Sequence, residues 1–163
     1  MNRSESGDSM NGRRRLPAWV PYFNFFARPL LALGVPMGPD VLLTVRGRKS
    51  GQPRTTPVTI CEYGGRRGFI SPFGESQWVR NLRAAGTASI RFGRKREDIR
   101  AVELGHDEAV RFIREVIAPI AATSPIGDWF VRNIDKIDLD HPEEAAIGMP
   151  VFEVFPAVPA PSE

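Results

Sequence analysis

Residues 54–71, RTTPVTICEYGGRRGFIS, decide how this chain is read. The first ten alternate around β-branched positions, two glycines stand together at 64 and 65, and an apolar run returns through Phe69 and Ile70. Paired glycines accept the positive φ angles of a tight hairpin turn, so the stretch is two antiparallel strands joined end to end. Upstream, VLLTV (41–45) is a further short apolar strand; downstream, TASIRFG (87–93) and EDIRAVEL (97–104) form a second hairpin across RKR. MPVFEVFP (149–156) is a closing strand.

Helical patterns lie between and beyond these strands. In FGESQWVRNLRAAG (73–86), Trp78, Leu82 and Ala85 share one face, and Gly86 follows as a C-cap. HDEAVRFIREVIAPIAA (106–122) puts Val110, Ile113, Val116, Ile117 and Ile120 on one side, with Asp107 and Glu108 favourably placed in its first turn. PIGDWFVRNID (125–135) predicts another short helix. The order is helix, three strands, helix, two strands, helices, strand. That is a mainly β chain with flanking helices (α+β), arranged as a small antiparallel barrel rather than a doubly wound sheet. The predicted organisation is a disordered basic tail (1–16), an N-terminal helical segment (17–35), the barrel domain (36–156) and a loose tail (157–163).

At 163 residues, 42% hydrophobic and 25% charged, the chain has the size and composition of one soluble globular domain. No apolar run approaches the roughly 20 residues that span a bilayer, and the N-terminus lacks the apolar core of a secretory signal. Cys61 is the single cysteine, which excludes an internal disulfide and fits a reducing cytoplasm. Thiol-rich zinc sites are excluded, and two histidines, His106 and His141, give little basis for a metal centre. Residues 17–35, PAWVPYFNFFARPLLALGV, carry clustered aromatics interrupted by Pro21 and Pro29. A helix packed over the core is preferred to peripheral membrane contact, because no long amphipathic face is present.

The net charge of +3 is unevenly spread. RGRKSGQPRTTP (46–57) sets Arg46, Arg48, Lys49 and Arg54 within nine residues and no acid among them. A charged, solvated hairpin loop is the default reading of such a run. It is no Walker loop, since a strand follows it rather than a helix. Yet Gly47 and Gly51 allow a tight turn that frees backbone amides for an anion, with Arg48, Lys49 and Arg54 as clamps. SPFGESQWVRNL (71–82) adds a strand end that runs into a helix N-terminus, where negative charge is favoured. Trp78 there offers a flat face to a heteroaromatic ring, with Asn81 on nearly the same side. A core aromatic is the plainer alternative for Trp78.

Together, G-R-x-[ST]-G-x-P-R-x-x-P followed by W-x-x-N-L over about Val41–Leu104 resembles the deazaflavin (F420)-dependent nitroreductase family. The resemblance implies a split antiparallel β-barrel of the FMN-binding type and coenzyme F420, with FMN as the alternative. It implies an oxidoreductase that transfers a hydride from C5 of the reduced deazaflavin to a small apolar acceptor: a quinone, enone or nitro compound. A barrel that carries F420 or a lipid-like ligand without turnover is the competing reading. Arg48 and Lys49 match positions that hold the coenzyme's phosphate and oligoglutamate tail, with Arg54 beside them. Thr56, Pro57 and Thr59 match positions lining the ring. Ser71, Pro72 and Phe73 match the stretch that meets its polar edge, and Trp78 and Asn81 match helix residues that close over it. No protein nucleophile is implied, and the accompanying proton is expected from solvent or from a hydroxyl such as Ser71. Substrate-facing tyrosines of the nitroreducing members are absent here, which leaves Trp129 and Phe130 as the expected pocket wall. The expected partners are a small-molecule substrate and a second copy in a homodimer, not nucleic acid, because no basic strand is interleaved with aromatics.

Overall fold

The computed structural model describes residues 40–123 and 137–157. Six strands, β1 (Asp40–Arg46), β2 (Pro53–Tyr63), β3 (Arg66–Ile70), β4 (Thr87–Phe92), β5 (Lys95–Glu103) and β6 (Val151–Pro156), close into a barrel in the order β1-β2-β3-β6-β5-β4. Every neighbouring pair is antiparallel. This is the antiparallel barrel that the strand-rich, hairpin-linked pattern predicts. The predicted tails, the 17–35 segment and the 125–135 helix with Trp129 and Phe130 fall outside the described residues, apart from Ala157.

Local chemistry accounts for the turns. Gly64 and Gly65 have φ of 60° and 79°, the twist that lets β2 fold straight back onto β3. The second hairpin turns earlier than the RKR reading places it. Phe92 pairs with Lys95, so Gly93 and Arg94 form the loop, and Arg96 lies within β5. Gly93, at φ 57°, supplies the left-handed residue that the turn needs, and the arginines need not occupy it.

Strand alternation separates two cores. Leu43 pairs with Thr56 and Val41 with Val58, so even-numbered β2 residues face the barrel interior. There Val41, Leu43, Val45, Val58, Phe69, Ile90, Ile99, Phe152 and Val154 pack together. The helix α1 (Gln77–Ala85) joins this core through Val79 and Leu82, and ends on Gly86, whose φ of 67° makes it the left-handed C-cap expected from sequence. Interior positions Arg67 and Glu97 carry charge instead, and pair through two hydrogen bonds of 2.5 and 2.9 Å.

Outside the barrel, α2 (His106–Phe112), a π-helical turn (Ile113–Ile117) and α3 (Ala118–Ala122) run consecutively and bury Val110, Phe112, Ile113, Val116 and Ile117 against Cys61, Ile70 and Val151. The sequence pattern predicts one uninterrupted helix here. Pro119 explains the widened turn: without an N–H it cannot bond the Glu115 carbonyl, and an α-helical path would press its ring on that group. A short helix, α4 (Pro142–Ala145), precedes β6.

Phe112 packs where β3 has no side chain. A Cβ built on Gly68 would stand 2.4 Å from the Phe152 carbonyl oxygen and 2.6 Å from Phe112 Cζ. Arg66, two residues earlier, lies over the same Phe112 ring at 5.3 Å and bonds both Glu153 and Glu115.

Candidate functional site

The loop 47–52 connects β1 to β2, and folds onto itself before it can offer anything to a ligand. Gly47 N–H donates to the Gln52 carbonyl and Gly51 N–H to the Gly47 carbonyl, both at 2.8 Å. The two glycine amides are therefore occupied within the loop and are not among those that could face an anion. Gly51 keeps its conformational role, at φ 69°. Gly47 is buried, and a Cβ there would meet Ser50 Oγ at 3.0 Å and the Gln52 carbonyl oxygen at 3.1 Å.

The side chains give the loop its character. Arg46, Arg48, Lys49 and Arg54 are all exposed. The side chains of Arg46, Lys49 and Arg54 have no hydrogen-bonding or ion-pair partner among the described residues. Arg48 is the anchored member. Its main-chain N–H and its Nη1 both donate to Asn81 Oδ1, at 3.2 and 3.0 Å, and Nη1 also reaches Gln77 Oε1 at 3.0 Å. The two sequence segments singled out for an anion site, 33 positions apart, thus meet directly on α1. A groove of about 450 Å³ adjoins the loop over β1, β4 and β5, lined among others by Thr44, Arg46, Ser89, Arg96 and Asp98.

The 71–76 turn also differs from expectation. Ser71 N–H donates to the Pro150 carbonyl, Gly74 N–H to the Ser71 carbonyl and Ser76 N–H to the Gly74 carbonyl. Ser71 is buried, and its hydroxyl donates to the Gly74 carbonyl at 2.6 Å. That proton is committed to closing the turn, so Ser71 is not poised as a proton donor. Pro72 and Phe73 lie half-buried in the same turn. One polar group is left over: Ser76 Oγ is buried without a partner, at an N-cap position where it makes no capping bond to α1.

Trp78 packs edge-on to Phe69 (ring centroids 6.4 Å, interplanar angle 81°) and tilted against Phe152 at 6.0 Å, while remaining half-exposed. It is bound to the barrel core as well as available at the surface. Asn81 is only 7% exposed, and its oxygen is filled by Arg48. The three β2 positions divide: Pro57 and Thr59 alternate to the outer face, where Pro57 pairs with Leu42, whereas Thr56 shares the inner face with Leu43. Thr44 and Thr55 on the outer face join hydroxyls at 2.8 Å. Among the described residues no group of His, Cys, Asp and Glu is arranged to hold a metal ion, and no helix is long and apolar enough to cross a membrane.

Sequence reasoning missed Gln77 and Ser76. Gln77 stands one helical turn before Asn81, a spacing that places both amides on one face. Among the described residues, three cations without counter-ions in the 46–54 segment, which Arg48 ties to the first turn of α1, fit a ligand that carries several negative charges.

Comparison with known proteins bears on which ligand this is. Residues 31–125 match the family described as F420H(2)-dependent quinone reductase. Among solved structures, an F420-H2 dependent reductase (FDR-A) is 25% identical, over 72% of this chain and 94% of its own, with a TM-score of 0.47. A protein solved as a domain-swapped dimer is 24% identical over 84% and 97% (TM-score 0.48). The haem storage protein HutZ of Vibrio cholerae is 13% identical over 74% and 82% (TM-score 0.49). The family match covers more than half of the sequence, including both segments of the site, and so this chain belongs to the F420H(2)-dependent quinone reductase family, an oxidoreductase whose coenzyme is F420.

Proposed function

We propose that the protein delivers a hydride from reduced F420 to a small apolar acceptor of the quinone class, with the coenzyme's anionic end held by the 46–54 segment. The unpaired cations carry this reading: Lys49 and Arg54 have no counter-ion among the described residues, and Arg48 is held by neutral amides. Exposed cations so arranged gain from a multivalent anion what they lack within the protein.

In this reading Arg48, Lys49 and Arg54 bind the phosphate and tail carboxylates. Pro57 and Thr59 on the outer face of β2, with Ser71, Pro72 and Phe73 beyond β3, flank the ring. Thr56, which faces inward, contributes through its main chain. Trp78 offers its exposed part to the ring while Phe69 and Phe152 fix its orientation. Trp129 and Phe130, which lie outside the described residues, are the candidates for contact with the acceptor. Bound reduced F420 supplies the hydride, so the chain needs to orient two molecules and keep water from the reacting edge. With the Ser71 proton occupied, solvent provides the proton that the acceptor takes up.

The test is titration of the purified protein with F420, FMN and a tail-less deazaflavin, followed by turnover with menadione. F420 should bind most tightly. The reduced form should be oxidised by menadione, with absorbance returning near ~400–420 nm, where the cofactor's own chromophore reports the reaction. Arg48→Ala with Lys49→Ala should weaken F420 by about 1.5–3 kcal/mol. Equal affinity of the double variant and wild type would remove the clamp assignment. Binding without oxidation across quinones and enones would remove the proposed acceptor class.

A further inference from the structure

We propose that Asn81 and Gln77 are positioning residues that fix Arg48 without cancelling its charge. The contrast lies within the molecule. Arg66 ends on Glu153 and Glu115, Arg67 on Glu97, Arg83 on Glu75 and Glu103, and Arg114 on Glu143. Each of those guanidiniums is held by a carboxylate, and the pair presents little net charge to a third group. Arg48 is held at two points by amide oxygens, Asn81 Oδ1 and Gln77 Oε1. An amide accepts the same hydrogen bonds as a carboxylate but adds no negative charge, so the full positive charge of Arg48 stays available.

The geometry also locates the loop. Asn81 Oδ1 receives the Arg48 main-chain N–H as well as Nη1, which ties the backbone of the 47–52 loop to the second turn of α1. Asn81 is nearly buried, and α1 is itself anchored in the barrel core by Val79 and Leu82. The position of one cation is thereby referred to the rigid barrel rather than to a free loop. Arg48 loses less conformational entropy on binding an anion than an untethered arginine would. Among the described residues Lys49 and Arg54 have no such tether, so Arg48 sets the register of the anion and the other two add charge.

This inference rests on the coenzyme reading only for the identity of the anion, and the experiment separates the two. Asn81→Asp and Gln77→Glu keep each acceptor oxygen and add a negative charge. The measurements are equilibrium binding of F420 and of inorganic tripolyphosphate over a range of ionic strength, thermal melting, and hydrogen exchange at the Arg48 amide. Both variants should melt at or above the wild-type temperature and keep the Arg48 amide protected. Both should bind the two anions roughly tenfold more weakly at low salt, with a shallower salt dependence. Asn81→Ala should instead lose protection of that amide, while Gln77→Glu, on the exposed helix surface, provides the charge test if a position 81 variant fails to fold. Undiminished anion binding by the acidic variants overturns the proposal and leaves the F420 assignment standing. An unprotected Arg48 amide in the wild type also overturns it. Wild-type protein that binds tripolyphosphate with this charge pattern but not F420 overturns the coenzyme reading alone. Binding of neither overturns both.

Discussion

Gly68→Ala is the substitution whose cost the structure sets most directly. The new Cβ would approach the Phe152 carbonyl oxygen to 2.4 Å, roughly 0.9 Å inside an ordinary C···O contact of about 3.3 Å. It would also meet Phe112 Cζ at 2.6 Å, about 1 Å inside a comfortable carbon–carbon separation. Phe112 has no easy retreat, because it is fully buried and Arg66 covers its ring. The carbonyl belongs to β6, whose pairing with β3 is one of the contacts that close the barrel. Overpacking of this kind costs about 1–3 kcal/mol per well-packed site. Two clashes, one against backbone, place the cost at the upper end or beyond. The lower entropy of an unfolded alanine offsets about 0.4–1 kcal/mol. A net loss of about 3 kcal/mol follows, and at about 2–4 °C per kcal/mol for a chain of this length the melting temperature should fall by about 6–12 °C. Circular dichroism melts of the apo protein measure this directly. Adding Phe112→Leu should recover only part of the loss, since the clash with the carbonyl persists. A single variant that melts within 2 °C of wild type would refute the claim that helix and barrel meet through a missing side chain.

Two further outcomes follow from the polar groups. Glu97 is held below the usual carboxylate range by its hydrogen bonds to Arg67, and Glu153 by those to Arg66. Their stabilising contribution is therefore present above the unfolded carboxylate pKa of about 4.3 and is lost as the pH falls through the lower folded values. Melting temperature should be level from neutral pH to about 5 and drop below about 4.5, and Glu97→Gln should flatten that drop while lowering the plateau. Ser76→Ala removes an unpartnered buried hydroxyl that makes no capping bond. Apo stability in thermal melts should be unchanged or raised by up to about 1 kcal/mol, and a loss of more than that would show that the hydroxyl has a partner after all.

The barrel was legible because its signals are local. Alternation in 54–63, the Gly64–Gly65 turn and the Gly86 cap each declare themselves within a few residues, and each forms as expected. The order of closure was not, since the β1–β4 and β3–β6 pairings join strands far apart in sequence, and no local pattern specifies them. The π-helical turn was hidden for another reason: hydrophobic periodicity in 106–122 looks the same whether or not Pro119 widens the preceding turn. At the site, the residue types announced an anion, and among the described residues the structure ties Arg48 to neutral amides and gives Arg46, Lys49 and Arg54 no side-chain partner. What sequence could not distribute was roles. The glycine amides, the Ser71 hydroxyl and the Asn81 oxygen are all consumed within the protein, and only the folded chain shows which polar groups remain.

The position of β6 between β3 and β5 has a consequence for how the protein is made. During synthesis β1, β2, β3, β4 and β5 emerge first, and both hairpins can form at once from neighbouring sequence. β3 and β5 must then wait, each with an unpaired edge, until the entire helical stretch and α4 have been translated. Exposed edges of this kind pair readily with other chains. The interval before Val151–Pro156 arrives is therefore when this enzyme is most open to misassembly. A ribosome-stalled chain ending before β6 should recruit chaperones that the finished barrel does not need.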